Sequence, residues 1–264
     1  MKKTVKTFLM ALTTNMLLIS SFCNCALAVN DKTTELTADE ISISDERLSK
    51  AVDEYNNALN SISEKSDTIQ KIGQVRGPII PEGEFDYKVL NFPSNPQING
   101  YYCGPASAYN LLCGMGKGSN VTQQKLGTSL GTTTPDNTNS DNTNSFGTDF
   151  GSNWSKTLAT YAGGTWSVTW ASSSNWSQRL SSALYSNLKN NKGIICDTHQ
   201  TANTPKLSAN YNSATNTWHY IACDGMDLKT SRIHFVDSNR SCAGSYWTSY
   251  NTMSAVTKDR GIVW

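Results

Sequence analysis

Three short apolar runs crowd into the later part of the chain. Gly193-Ile194-Ile195-Cys196-Asp197 reads as a buried strand, and residues 218–224 and 231–237 as two more. Helical patterns precede them. One covers about Gly104 to Cys113, with Pro105 at an early position where a missing N–H is harmless and Gly114 and Gly116 supplying the stop. Others cover Trp154 to Tyr161 and Trp176 to Leu188. Helices first and strands later predict an α+β domain, opening near Tyr87-Lys88-Val89-Leu90 and covering residues 81–264.

What comes before that domain is of another kind. Lys2, Lys3 and Lys6 lead into a mostly apolar run over residues 8–19, too short to span a bilayer, and Ala26-Leu27-Ala28 offers small residues where a signal peptidase reads. These features predict an export signal at residues 1–28, cleaved after Ala28, and a secreted protein. A lipid anchor on Cys23 or Cys25 is the competing reading, opposed by the bulky Phe22 and the polar Asn24 before them. No later run is long and apolar enough for a membrane helix, so no membrane span is expected in the mature chain.

Signal removal leaves 19 of the 22 basic residues against 21 acidic ones, a balance that gives nucleic acid nothing to bind. Cysteines remain at 103, 113, 196, 223 and 242, with no Cys-x-x-Cys pair and no zinc-like Cys/His spacing, so neither a metal nor another cofactor is expected. An odd count leaves at least one thiol unpaired or intermolecular, and the other four allow three disulfide pairings.

Residues 31–72 hold ten Asp or Glu against five Lys or Arg, and Leu48, Val52, Tyr55, Leu59 and Ile62 recur at helical steps. Two readings of the 29–80 segment stand side by side: a surface helix or spacer, and an intramolecular propeptide whose apolar stripe covers the active site. Residues 127–151 form a Thr/Asn/Ser/Gly tract in which Asp136-Asn137-Thr138-Asn139-Ser140 repeats directly, and this tract is expected to be a loop, with a lid as one role. Gly116-Lys117-Gly118 lacks the spacing of a phosphate-binding loop.

The chemistry points to Gln97-Ile98-Asn99-Gly100-Tyr101-Tyr102-Cys103-Gly104-Pro105. It sets a thiol at the start of a helix, whose positive end favours a thiolate nucleophile, with a side-chain amide six residues upstream. The Gln97 amide and the Cys103 N–H can together donate to the oxygen of a tetrahedral intermediate, and Gly104 lets a substrate approach the backbone. A base must come from His199, His219 or His234. A hairpin centred on Leu228 would set His219 opposite Asp237, with Ile221, Cys223, Ile233 and Phe235 on their face and Asp224 and His234 on the other. A one-residue slip would undo that register.

Gln97 to Pro105 with its helix, His219-Tyr220-Ile221, Asp224-Gly225 and Phe235-Val236-Asp237 resemble the bacteriocin-processing peptidases, peptidase family C thirty-nine, and are similar to its free-standing exported relatives. The resemblance implies a papain-like α+β fold, with a nucleophile helix packed on an antiparallel sheet. It also implies Cys103 as nucleophile, His219 as base, Asp237 orienting that base and Gln97 as oxyanion donor. The implied partner is a peptide or protein substrate. The same residues would equally serve an acyltransferase or crosslinker, and the fold would also suit a non-catalytic peptide-binding module.

Overall fold

The computed structural model describes residues 35–72, 84–135, 146–171, 174–211 and 216–264. The export signal at residues 1–28 and the direct repeat at 136–145 lie outside the described residues. In chain order the elements are α1 (Ala38–Ile72), β1 (Tyr87–Val89), α2 (Cys103–Gly114), α3 (Gln123–Leu130), α4 (Ser152–Ala162) and β2 (Val168–Trp170). There follow α5 (Trp176–Lys189), β3 (Ile194–Gln200), β4 (Thr217–Asp227), β5 (Arg232–Asp237), β6 (Gly244–Ser249), α6 (Tyr250–Thr257) and β7 (Gly261–Val263). No helix among the described residues is long and apolar enough to cross a membrane.

The strands form one sheet in the order β2-β7-β3-β4-β5-β6, with β1 also paired to β4, and every pairing is antiparallel. Both faces are covered, so β3 reads as an unbroken apolar run instead of an alternating one. Ile194 and Cys196 pack with Leu184 and Leu188 of α5 and with Met253 and Val256 of α6. Ile195 between them packs with Leu111 and Leu112 of α2, Leu126 of α3 and Trp154 of α4. The result is an α+β sandwich of helices around a sheet.

Several expectations need correction. β3 runs on to Gln200, so His199 lies inside a strand opposite Trp218 instead of in a loop after it. The tract at 127–151 is not a loop throughout: α3 extends to Leu130, and Leu130 and Phe150 are fully buried. Its scarce apolar residues sit where the chain turns inward, which average composition conceals.

The hairpin is centred further along than expected. Its rungs near the turn are Asp227↔Arg232, Met226↔Ile233 and Gly225↔His234, and beyond a bulge they become Cys223↔Phe235 and Ala222↔Val236. Gly225 belongs to the strand and not to the turn, because the β1 backbone runs close beside it; a Cβ there would lie 2.8 Å from the Lys88 carbonyl oxygen. The bulge moves the face by one residue, so Met226 joins the same core as Ile221 and Cys223. The ladder therefore directs Asp237 towards the level of Ile221, one pleat away from His219.

Helix α1 opens on a capping box, in which the Glu40 N–H donates to Thr37 Oγ1 and the Thr37 N–H to Glu40 Oε2. Its most buried residues are Leu48, Ala51, Tyr55 and Ala58, a stripe turned slightly from the expected one so that small alanines meet α5. The Tyr55 ring meets Tyr185 edge-on at 5.8 Å. Arg47 stacks 4.3 Å over Trp264 and donates to Ser167 Oγ, and Ser44 bonds Thr169 across 2.7 Å. The helix is docked on the domain through this stripe. Its stripe is part of the core under α5, and among the described residues no hydrogen bond or ring contact ties it to Cys103, His219 or Asp237.

Candidate active site

Helix α2 begins at Cys103 itself, one residue earlier than expected. Its cap residue Tyr102 makes no side-chain cap hydrogen bond and no acid stands in its first turn. The positive end of the helix is thus left facing the half-buried thiol. Gly104 is also required by packing: a Cβ would fall 2.4 Å from Thr148 Oγ1. Thr148 is in turn bonded to Thr132 at 2.7 Å, and its carbonyl accepts from the Tyr220 hydroxyl at 3.1 Å. These bonds fix the first turn of α2 against β4.

On β4, His219 is almost fully buried, and its Nε2 donates to Asp237 Oδ1 at 2.8 Å. The pair is reached diagonally, not as facing rungs. Nε2 is taken by the carboxylate, and the Cys103 side chain lies near enough to the imidazole to favour its protonated form. Burial by itself would lower the imidazole pKa, but Asp237 and then Cys103 outweigh it and push His219 up to about 10. Burial would likewise raise the Asp237 carboxyl. His219, the Tyr211 hydroxyl and the Asn239 N–H together hold it below the usual carboxylate range.

The other histidines also pair with carboxylates. His199 bonds Asp259 at 2.9 Å through Nδ1 and Asn216 through Nε2, and stacks on Trp218 at 3.6 Å, so both nitrogens are engaged. His234 bonds Asp224 at 2.5 Å. Among the described residues neither imidazole has a thiol as a hydrogen-bond partner, although the buried Cys223 stands beside Asp224.

Gln97 is buried in the loop before α2. Its backbone N–H donates to the Ser238 carbonyl at 2.8 Å, its carbonyl accepts from Arg240 Nε at 2.7 Å, and the Arg240 guanidinium also reaches the Ile98 carbonyl. The loop is therefore laced to the turn that follows Asp237. The side-chain Nε2 gives one proton to the Asn99 carbonyl at 2.7 Å, and Oε1 is buried without a partner among the described residues. An amide nitrogen carries two protons, so a second remains for a ligand.

Several residues of this corner escaped sequence reasoning: Tyr211, Asn239 and Cys242 around Asp237, Arg240 on the Gln97 loop, and Asp197. The last is a buried acid whose burial pushes it up to about 7 despite Arg260, Tyr220 and His219 nearby. Its place between Cys196 and Thr198 on a buried strand was the one available signal. All five cysteines at 103–242 are free thiols, and Cys196 and Cys223 approach to 3.5 Å on neighbouring strands.

A thiol at a helix start, an imidazole held by a buried carboxylate and a nearby amide can together carry nucleophilic acyl transfer. No curated protein matches the chain. A family model does match, over residues 89–264, which spans every residue of this corner but leaves α1 outside. The chain belongs to the Peptidase_C39 like family, a cysteine peptidase-type domain with the papain-like α+β fold.

Proposed function

We propose that this protein is an exported cysteine peptidase in which Cys103 attacks a peptide carbonyl, His219 exchanges the proton, Asp237 orients His219, and Gln97 donates to the oxyanion. The observation that carries this reading is the buried His219–Asp237 pair, with the Cys103 thiol near it at the start of α2. His219 held protonated favours a thiolate–imidazolium pair. The thiolate sulfur adds to the carbonyl carbon, and the oxyanion is met by the Cys103 N–H and Gln97 Nε2. The intermediate then collapses, the C–N bond breaks, and His219 passes its proton to the leaving amine. Water, losing a proton to His219, releases the acyl group and restores the thiol.

Export rests on the amino-terminal sequence at 1–28, and N-terminal sequencing of secreted protein beginning at Val29 would support it. The peptidase reading is tested by incubating the exported protein, and its Cys103→Ala variant, with a peptide library and weighing the products. Cleavage by the parent alone is expected. Products joined to an amine instead of water would make it a transferase, and labelling of Cys103 without turnover would leave a peptide-binding module.

A further inference from the structure

The Asp237 carboxylate is shared between two sets of donors, and one of them comes from a segment that has no part in the proposed chemistry. Oδ1 accepts from His219 at 2.8 Å and from the Asn239 N–H at 2.8 Å. Oδ2 accepts from the Tyr211 hydroxyl at 2.6 Å, with Cys242 Sγ at 3.8 Å. Tyr211 lies within residues 201–216, the connection between β3 and β4, and its ring is buried 6.1 Å from the His219 ring. Two neighbouring bonds hold that connection in shape: Leu207 is buried with its N–H on Gln200 Oε1, and Lys206 donates to the Thr201 carbonyl.

We propose that Tyr211 is a positioning residue that locks the Asp237 carboxylate and so sets the lowest pH at which the Cys103–His219 pair reacts. The proposal rests on the reading of Cys103, His219 and Asp237 as catalytic. With the Tyr211 hydroxyl gone, Oδ2 is left with the weaker thiol donor of Cys242 at 3.8 Å, and because the terminal torsion of an aspartate is broad, Asp237 turns its oxygen away from His219 more readily. The titratable groups facing Asp237 are His219 from β4, Tyr211 from the preceding connection, Cys242 from the turn after β5 and Tyr246 from β6. Tyr211 is among the groups that keep Asp237 ionised, so its loss moves protonation of Asp237 to higher pH.

The test uses the full exported chain and iodoacetamide as the probe, because alkylation of the Cys103 thiol reports on the pair without a peptide substrate. In Tyr211→Phe, the pH at which the labelling rate falls to half on the acid side is expected to rise by about one unit, the effect of losing one hydrogen bond to a charged group. Tyr246→Phe, which removes a hydroxyl bonded to the Cys242 carbonyl, is expected to leave that half-point in place. In an Asp237→Asn background, Tyr211→Phe should add no further change. If the phenylalanine variant melts early, Tyr211→Gln, which keeps a donor, should hold the half-point closer to the parent than Tyr211→Leu does. A folded Tyr211→Phe protein with an unmoved half-point would reduce Tyr211 to packing. Unchanged labelling in His219→Ala would instead overturn the catalytic reading beneath it, whatever Tyr211 does.

Discussion

The β4–β5 hairpin carries two histidine–aspartate pairs built from the same chemistry, one at its bulge and one beyond it. Beyond the bulge His219 bonds Asp237 at 2.8 Å, and at it Asp224, unpaired in the ladder, bonds His234 at 2.5 Å. All four side chains are buried. They differ in their third partner. His219 has the Cys103 side chain near it, at a helix start without a side-chain cap. Asp224 accepts the Phe92 N–H at 2.7 Å and His234 packs 5.1 Å from Trp247, with Tyr87 stacked on that indole at 5.8 Å. The first pair lies near the Cys103 thiol; the second pins the chain after β1 to the sheet and is roofed by aromatic rings. A buried ion pair is thus no signature of catalysis by itself, and what adjoins it decides its use.

The sharpest way to break the comparison is to remove each imidazole. His219→Ala is expected to lower kcat/KM by roughly ten-thousandfold or more, as loss of a nucleophile's base does. His234→Ala should leave turnover within about twofold and instead cost stability, about 1–3 kcal/mol, because a buried carboxylate loses a partner. Peptide cleavage rates and urea melts on both variants decide the matter, and an inactive His234 variant would reverse the roles.

Next in size is Gln97→Ala, expected to slow acylation by roughly a hundredfold to a thousandfold with the fold intact. Pre-steady-state kinetics would show it, and an unchanged rate would remove Gln97 from the site. Asp237→Asn should cost less, about tenfold to a hundredfold, since an amide still orients an imidazole in papain-like enzymes. Asp224→Asn should cost turnover nothing measurable.

The smallest effect is a pH dependence of stability. His219 is raised from 6.5 to about 10, so the folded state holds its proton more tightly than the unfolded chain. That contribution is complete below about pH 6.5 and is lost as pH rises towards 10. Asp237 is lowered from 3.8, so its contribution is present above about pH 4 and is lost on further acidification. Melting temperatures from pH 6 to 10 should therefore fall more steeply for the parent than for His219→Ala. Parallel curves would show that the pair adds little to folding.

Much of this architecture was legible in the chain. The order of helices and strands, the apolar run at Ile194-Ile195-Cys196 and the helix after Cys103 are local patterns, and local backbone and burial preferences are written in neighbouring residues. Other elements were not. The strands at Val168–Trp170 and Gly261–Val263 are three residues each and exist because they pair with one another and because the second also pairs with β3. Gly225 looked like a turn residue, and only the close passage of β1 shows why it sits inside a strand.

The acidic helix teaches the same lesson at larger scale. Its amphipathic period was evident, but a period names a buried stripe and not the surface that buries it, and here that surface is α5. For the candidate site, the sequence by itself determined the residue types: a thiol at a helix start, an upstream amide, a histidine and an acid on successive strands. Tertiary structure decided which histidine meets which acid, because three histidine–aspartate pairs coexist and the bulge shifts the register that would have chosen among them. It also decided that Tyr211 and Arg240 belong to that corner. Residues far apart in the chain become neighbours only when long-range pairing closes the sheet, and side-chain periodicity carries no record of that closure.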